Sequence, residues 1–144
     1  MEKLFLCIMN YTGMEHKLLK VLVVDDEPEI LDLLNYNFTK KGLDVYMAEN
    51  GKKAFEVMQE TAPDVIILDI MMPEMNGIQF CELIKSIDAY KNIPVLFLSA
   101  TSDDLLILAA FSAGGSHYAS KPIRLNILHD LVLKVYENSK KLVA

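Results

Sequence analysis

DVIILDIMMPEMNG, residues 64 to 77, decides the fold. Val65, Ile66, Ile67 and Leu68 form an unbroken apolar run with no polar alternation, which predicts a short strand covered on both faces, as in a parallel sheet. Asp69 stands where that run stops, and Pro73, Asn76 and Gly77 follow as turn and helix-start residues. A carboxylate at the end of a buried strand is costly to desolvate unless it has a partner or a task.

Working outward, LLKVLVV (18 to 24) and PVLFL (94 to 98) repeat the same signal, while DVYMAE (44 to 49) and HYAS (117 to 120) read as shorter outer strands. Between them lie helical patterns long enough to cross back over a sheet. The first opens at Pro28 with a stripe of Ile30, Leu33, Leu34 and Phe38 and stops at Gly42. Others span 51 to 61, 77 to 87 with Ile78, Cys81 and Ile84 inward, 103 to 112, and 124 to 139. Alternating strands and helices predict an α/β fold built on a parallel sheet.

In such a fold the strands point one way, so residues just past the strand ends share one edge. That edge collects Asp25, Asp26, Asp69, Ser99, Thr101, Ser120 and Lys121. Three carboxylates in one crevice repel, and without a cation at least one holds its proton at neutral pH. Hard oxygen donors suit Mg²⁺, which takes one or two carboxylates and favours a phosphate oxygen as a further ligand. The expectation is a phosphoryl-transfer pocket with Lys121 free to pair with a phosphoryl oxygen.

The chain has 144 residues, 52% of them hydrophobic, enough for one core and no second domain. A net charge of −6 argues against direct nucleic-acid binding. Cys7 and Cys81 are isolated, and His16, His117 and His129 share no metal-ligand spacing. The run LFLCIM, residues 4 to 9, is too short for a membrane span or a signal-peptide core, so a cytoplasmic protein is expected. Met14 stands just ahead of the first strand, and the expected division is an extension over 1–13 and one domain over 14–144.

Four motifs in order, VLVVDDEPEI (21 to 30), DVIILDIMMPEMNG (64 to 77), PVLFLSAT (94 to 101) and HYASKPI (117 to 123), resemble the receiver domain of two-component response regulators. The resemblance covers about residues 17 to 140. It implies a flavodoxin-like, doubly wound three-layer sandwich of five parallel strands in the order 2-1-3-4-5 with five helices. It also implies that Asp69 accepts a phosphoryl group from the phosphohistidine of a sensor kinase or phosphotransfer protein. Asp25, Asp26, Asp69 and the Met71 carbonyl would hold Mg²⁺, Lys121 would neutralise the transferred charge, and Ser99 would donate to a phosphoryl oxygen. A cis peptide between Lys121 and Pro122 is part of the same pattern.

For switching, the resemblance makes Ser99 and Tyr118 the hydroxyl and aromatic positions. Tyr118 would turn inward on phosphorylation and reshape the face of the fourth helix, fifth strand and fifth helix for an output protein or a homodimer. LLILAAF (105 to 111) is apolar all round where charge is expected, so Leu106 and Ile107 are candidate interface residues, covered by a partner or by residues 1 to 13. Met71 and Thr101 stand at the positions that tune dephosphorylation in the family, and neither is a carboxylate or amide that would orient an attacking water, which implies slow self-hydrolysis. The expected role is a signalling phosphoacceptor rather than an enzyme. The alternative, a Mg²⁺-dependent phosphatase with an aspartyl nucleophile, generally needs a second acid just after Asp69, and Ile70-Met71 supplies none.

Overall fold

A computed structural model describes residues 17–143, so expectations for residues 1 to 13, including Cys7, and for His16 lie outside the described residues. Five strands, β1 (Lys20–Val24), β2 (Asp44–Ala48), β3 (Val65–Leu68), β4 (Val95–Ser99) and β5 (His117–Ser120), alternate with five helices. The helices are α1 (Pro28–Lys40), α2 (Gly51–Thr61), α3 (Gly77–Lys85), α4 (Asp104–Ser112) and α5 (Leu125–Val143). The sheet is parallel throughout, in the order β2-β1-β3-β4-β5. This is the predicted flavodoxin-like sandwich.

The unbroken apolar runs follow from the two layers of helices. Val21, Val23, Val65, Ile67, Leu96 and Leu98 point to one face and pack with Leu34 and Phe38 of α1 and Leu128 and Val132 of α5. Their neighbours Leu22, Val24, Ile66, Leu68 and Phe97 point the other way, onto Ala54 and Met58 of α2, Phe80, Cys81 and Ile84 of α3, and Ala110 of α4. Each fully buried Ile or Leu side chain contributes about 1.5–3 kcal/mol relative to exposure. Both faces of β3 are thereby fixed, and a slip of one residue would exchange them.

Local chemistry sets the helix starts. Asn50 caps α2 by accepting from Lys53 N, and Asn76 and Gln79 form a reciprocal capping box at α3. Asp103 caps α4 through Leu105 N at 2.9 Å, so that helix begins one residue later than its pattern suggests. α3 ends at Lys85 rather than 87, because the Ser86 and Ile87 amides close the last turn on the carbonyls of Leu83 and Ile84. α5 runs past 139 to Val143, as nothing in ENSKK stops it.

One buried stripe is corrected. Leu33, expected inside, is 46% exposed, and Leu31 instead joins Ile30, Leu34 and Phe38 against the core. On α4, Leu106 and Ile107 are only partly exposed, and Leu106 packs on the core. The outward apolar residues are Leu105, Leu108 and Phe111, at 77%, 63% and 44% exposure. Spacings of three place those three on one side of the helix.

Candidate functional site

The C-terminal edge of the sheet is built by strand ends. Asp25 follows β1 directly, and its amide donates to Ala48 O at 3.1 Å, continuing the ladder one step beyond the strand. Its carboxylate is 2% exposed, accepting the Glu27 amide at 2.9 Å on one oxygen and the Lys121 ammonium at 2.7 Å on the other. Asp69 sits beside it in the same way, its amide donating to Val24 O at 3.0 Å and its residue 4% exposed. The Met71 amide donates to one Asp69 oxygen at 3.4 Å, and the Lys121 ammonium stands 3.5 Å from the other.

Gly77 explains why the chain after Asp69 has its particular turn. A Cβ on Gly77 would lie 2.0 Å from the Asp69 carbonyl oxygen and 3.0 Å from Ile70 Cα. The Gly77 amide donates to Ile70 O at 2.8 Å, fastening the start of α3 against the end of β3. Only a residue without a side chain permits that approach. Asp69 is therefore held by backbone on both sides of its own peptide.

Lys121 reaches the acids from the end of β5. Its amide donates to Ser99 O at 2.9 Å, its peptide bond to Pro122 is cis as the family resemblance implies, and its ammonium also donates to Glu27 at 3.1 Å. Carboxylate oxygens of Asp25, Glu27 and Asp69 all lie within 4.8 Å of one another around this ammonium. Burial, the largest influence, pushes the Asp25 carboxyl above its ordinary range, with the Asp69 charge adding to it and Lys121 and the Glu27 amide pulling back. Burial also disfavours the Lys121 cation, but its hydrogen bonds to Asp25 and Glu27 and the charge of Asp69 outweigh that and hold it protonated.

The Lys121 ammonium pairs here with three acids, Asp25, Glu27 and Asp69. Glu27 is the residue that sequence reading missed. It lies two positions past Asp25 in VVDDEP, and its acidity was the available signal. Asp26 is exposed and stands outside the three-acid group, and the Met71 side chain is 60% exposed at the rim.

Ser99 ends β4 fully buried, with the Thr101 amide 3.5 Å from its hydroxyl oxygen. Tyr118 is half-buried against the core, donating to Thr101 O at 2.6 Å and lying 3.4 Å from Ser99 O. The remaining candidates lie elsewhere: His129 packs edge-on against Phe38 at 6.0 Å, His117 is exposed, and Cys81 is buried beside Ala113 O with its thiol pushed up to about 11 by burial.

Residues 21–133 match the response regulator receiver domain. The chain belongs to the response regulator receiver family. This receiver is 39% identical over 114 residues to YrkP, an uncharacterized transcriptional regulatory protein of Bacillus subtilis, covering 79% of this chain and 48% of that one. The chain therefore spans about half the length of that relative. Among solved structures, the receiver superposes on the Vibrio cholerae chemotaxis protein CheY4 with a TM-score of 0.79 at 28% identity, over 83% of this chain and 99% of that one. The receiver domain of the Francisella response regulator 1452 gives a TM-score of 0.76 at 30% identity, over 83% and 98%. No helix among the described residues is long and apolar enough to cross a membrane.

Proposed function

We propose that this receiver takes up a phosphoryl group on Asp69 from the phosphohistidine of a sensor kinase or phosphotransfer protein. The observation that carries the reading is the juxtaposition of a backbone-anchored Asp69 carboxylate with Asp25 and the Lys121 ammonium at one strand edge. An Asp69 oxygen attacks phosphorus, a P–O bond forms, and the P–N bond to imidazole breaks with its electron pair leaving on nitrogen. Rigid strand ends supply the orientation. Lys121, 3.5 Å from Asp69, need shift only slightly to pair with the incoming phosphoryl oxygens.

The donor set fits Mg²⁺, since its atoms are carboxylate oxygens within 4.8 Å of one another. Asp25 and Asp69 of this set would hold the ion, joined by the Met71 carbonyl and, from outside the set, by Asp26, and it would offset negative charge on the transferring group. The protein's own residues do the rest. Releasing Lys121 from Asp25 would free it for the phosphoryl group, and the Ser99 hydroxyl, buried at the end of β4, would donate to that group. The role is signalling rather than turnover of a small substrate. The rearranged Ser99–Thr101–Tyr118 contacts pass the change to α4, β5 and α5, where an output protein or a second copy docks.

Titration with Mg²⁺ and beryllium fluoride, followed by backbone amide spectra, tests this reading. Saturable shifts at Asp69, Met71, Ser99 and Lys121 are expected. Shifts confined to other regions would overturn it.

A further inference from the structure

The edge of the sheet opposite Asp69 carries a second concave feature. A cavity of about 510 Å³ opens where β4 and β5 begin, between the loop after α3 and the flank of α5. Lys85, Lys91, Lys134 and His117 all line it, Leu131 and Val135 give it an apolar floor, and no carboxylate is among its lining residues. In a chain of net charge −6, three lysines with no carboxylate among the lining residues make a local excess of cations. The volume lies within the range of small-molecule sites.

We propose that this cavity is an anion-binding site for a phosphorylated small molecule. Lys85 is its fixed element. The side-chain stem of Lys85 crosses Gly114, where a Cβ would come within 2.8 Å of its Cγ, and the ammonium donates to Lys91 O at 3.1 Å and to Ile93 O. Two of three ammonium donors are used, leaving one for a ligand. Lys134 has no carboxylate within 4 Å among the described residues, and Lys91 is paired only with Asp88, at 3.3 Å on an almost fully exposed carboxylate, a weak competitor.

The concavity favours a small ligand over a polymer, because an extended polyanion needs a groove or stripe of cations. The apolar floor suits the body of such a ligand and the rim of amines its phosphate oxygens. Four residue steps along β4, about 13 Å, separate this site from the strand end that holds Ser99. Occupancy and Asp69 chemistry are thus spatially independent.

Pyrophosphate titrated into the full chain in metal-free buffer, followed by backbone amide spectra, tests the assignment. Saturable shifts at Ser116, His117 and Asn138 are expected, weakened about tenfold in Lys134→Glu and retained in Lys121→Ala. Lys134 is exposed, so its variant should melt as the native protein does, and Lys91→Glu gives a second reading of the same loss. Absence of saturation, shifts confined to the Asp69 edge, unchanged binding in both charge-reversal variants, or tighter binding of a thymidine oligonucleotide would each overturn it.

Discussion

β3 and β5 lie on either side of β4 and meet solvent very differently. All four residues of β3 are buried, whereas β5 buries Ala119, half-buries Tyr118 and exposes His117 and Ser120. The acid edge is anchored on β1 and β3, whose ladders continue through the amides of Asp25 and Asp69. Tyr118 belongs to the margin strand, paired with β4 and bonded through its hydroxyl to Thr101 O. The carboxylates thus stand at the ends of strands buried on both faces, whereas Tyr118 stands on a half-exposed margin strand.

That contrast breaks first at Gly77. Gly77→Val forces a side chain onto the Asp69 carbonyl, and a loss of about 4 kcal/mol or more is expected in denaturant unfolding. A well-folded Gly77→Val would mean that the β3–α3 junction is not rigid. Next comes Leu68→Ala, with an expected cost of about 2–5 kcal/mol. By contrast, Leu108→Ser on the exposed side of α4 should change stability by no more than about 0.5 kcal/mol. Equal costs at the two positions would erase the distinction.

A smaller effect separates the two regions by pH. A carboxyl whose folded pKa is raised costs stability once the unfolded chain ionises, and the cost is relieved as pH falls through the folded value. Asp25 is raised, so in metal-free buffer Asp25→Asn should melt higher than the native chain near neutral pH, with the difference shrinking on acidification. Tyr118→Phe, which removes the bond to Thr101 O, should show no comparable pH trend over that range. The smallest expected effect is at Cys81, whose raised thiol should resist alkylation at mildly alkaline pH in the folded chain and react on unfolding.

Much of this was legible in the residues. The runs VLVV, VIIL and VLFL announce strands buried on both faces, and direction alone places Asp25, Asp69, Ser99 and Lys121 on one edge. Pattern could not say which way Leu33 and Leu31 turn, because α1 meets both the sheet and α5 and its buried stripe is set by that packing. Glu27 and the pairing of Lys121 were hidden for a related reason. Lys121 is 96 residues from Asp25 in the chain, and which acids it meets depends on the loop geometry of both ends. On α4 the composition shows an unusual apolar surplus, while the packing of Leu106, Ala109 and Ala110 on the core leaves Leu105, Leu108 and Phe111 facing outward.

The most direct measurement is the intact mass of the native chain and of Asp69→Ala after incubation with acetyl phosphate and Mg²⁺. One phosphoryl group on the native chain and none on the variant is the predicted result. Equal labelling of both chains, or of neither while the native protein is folded, would contradict the assignment of Asp69.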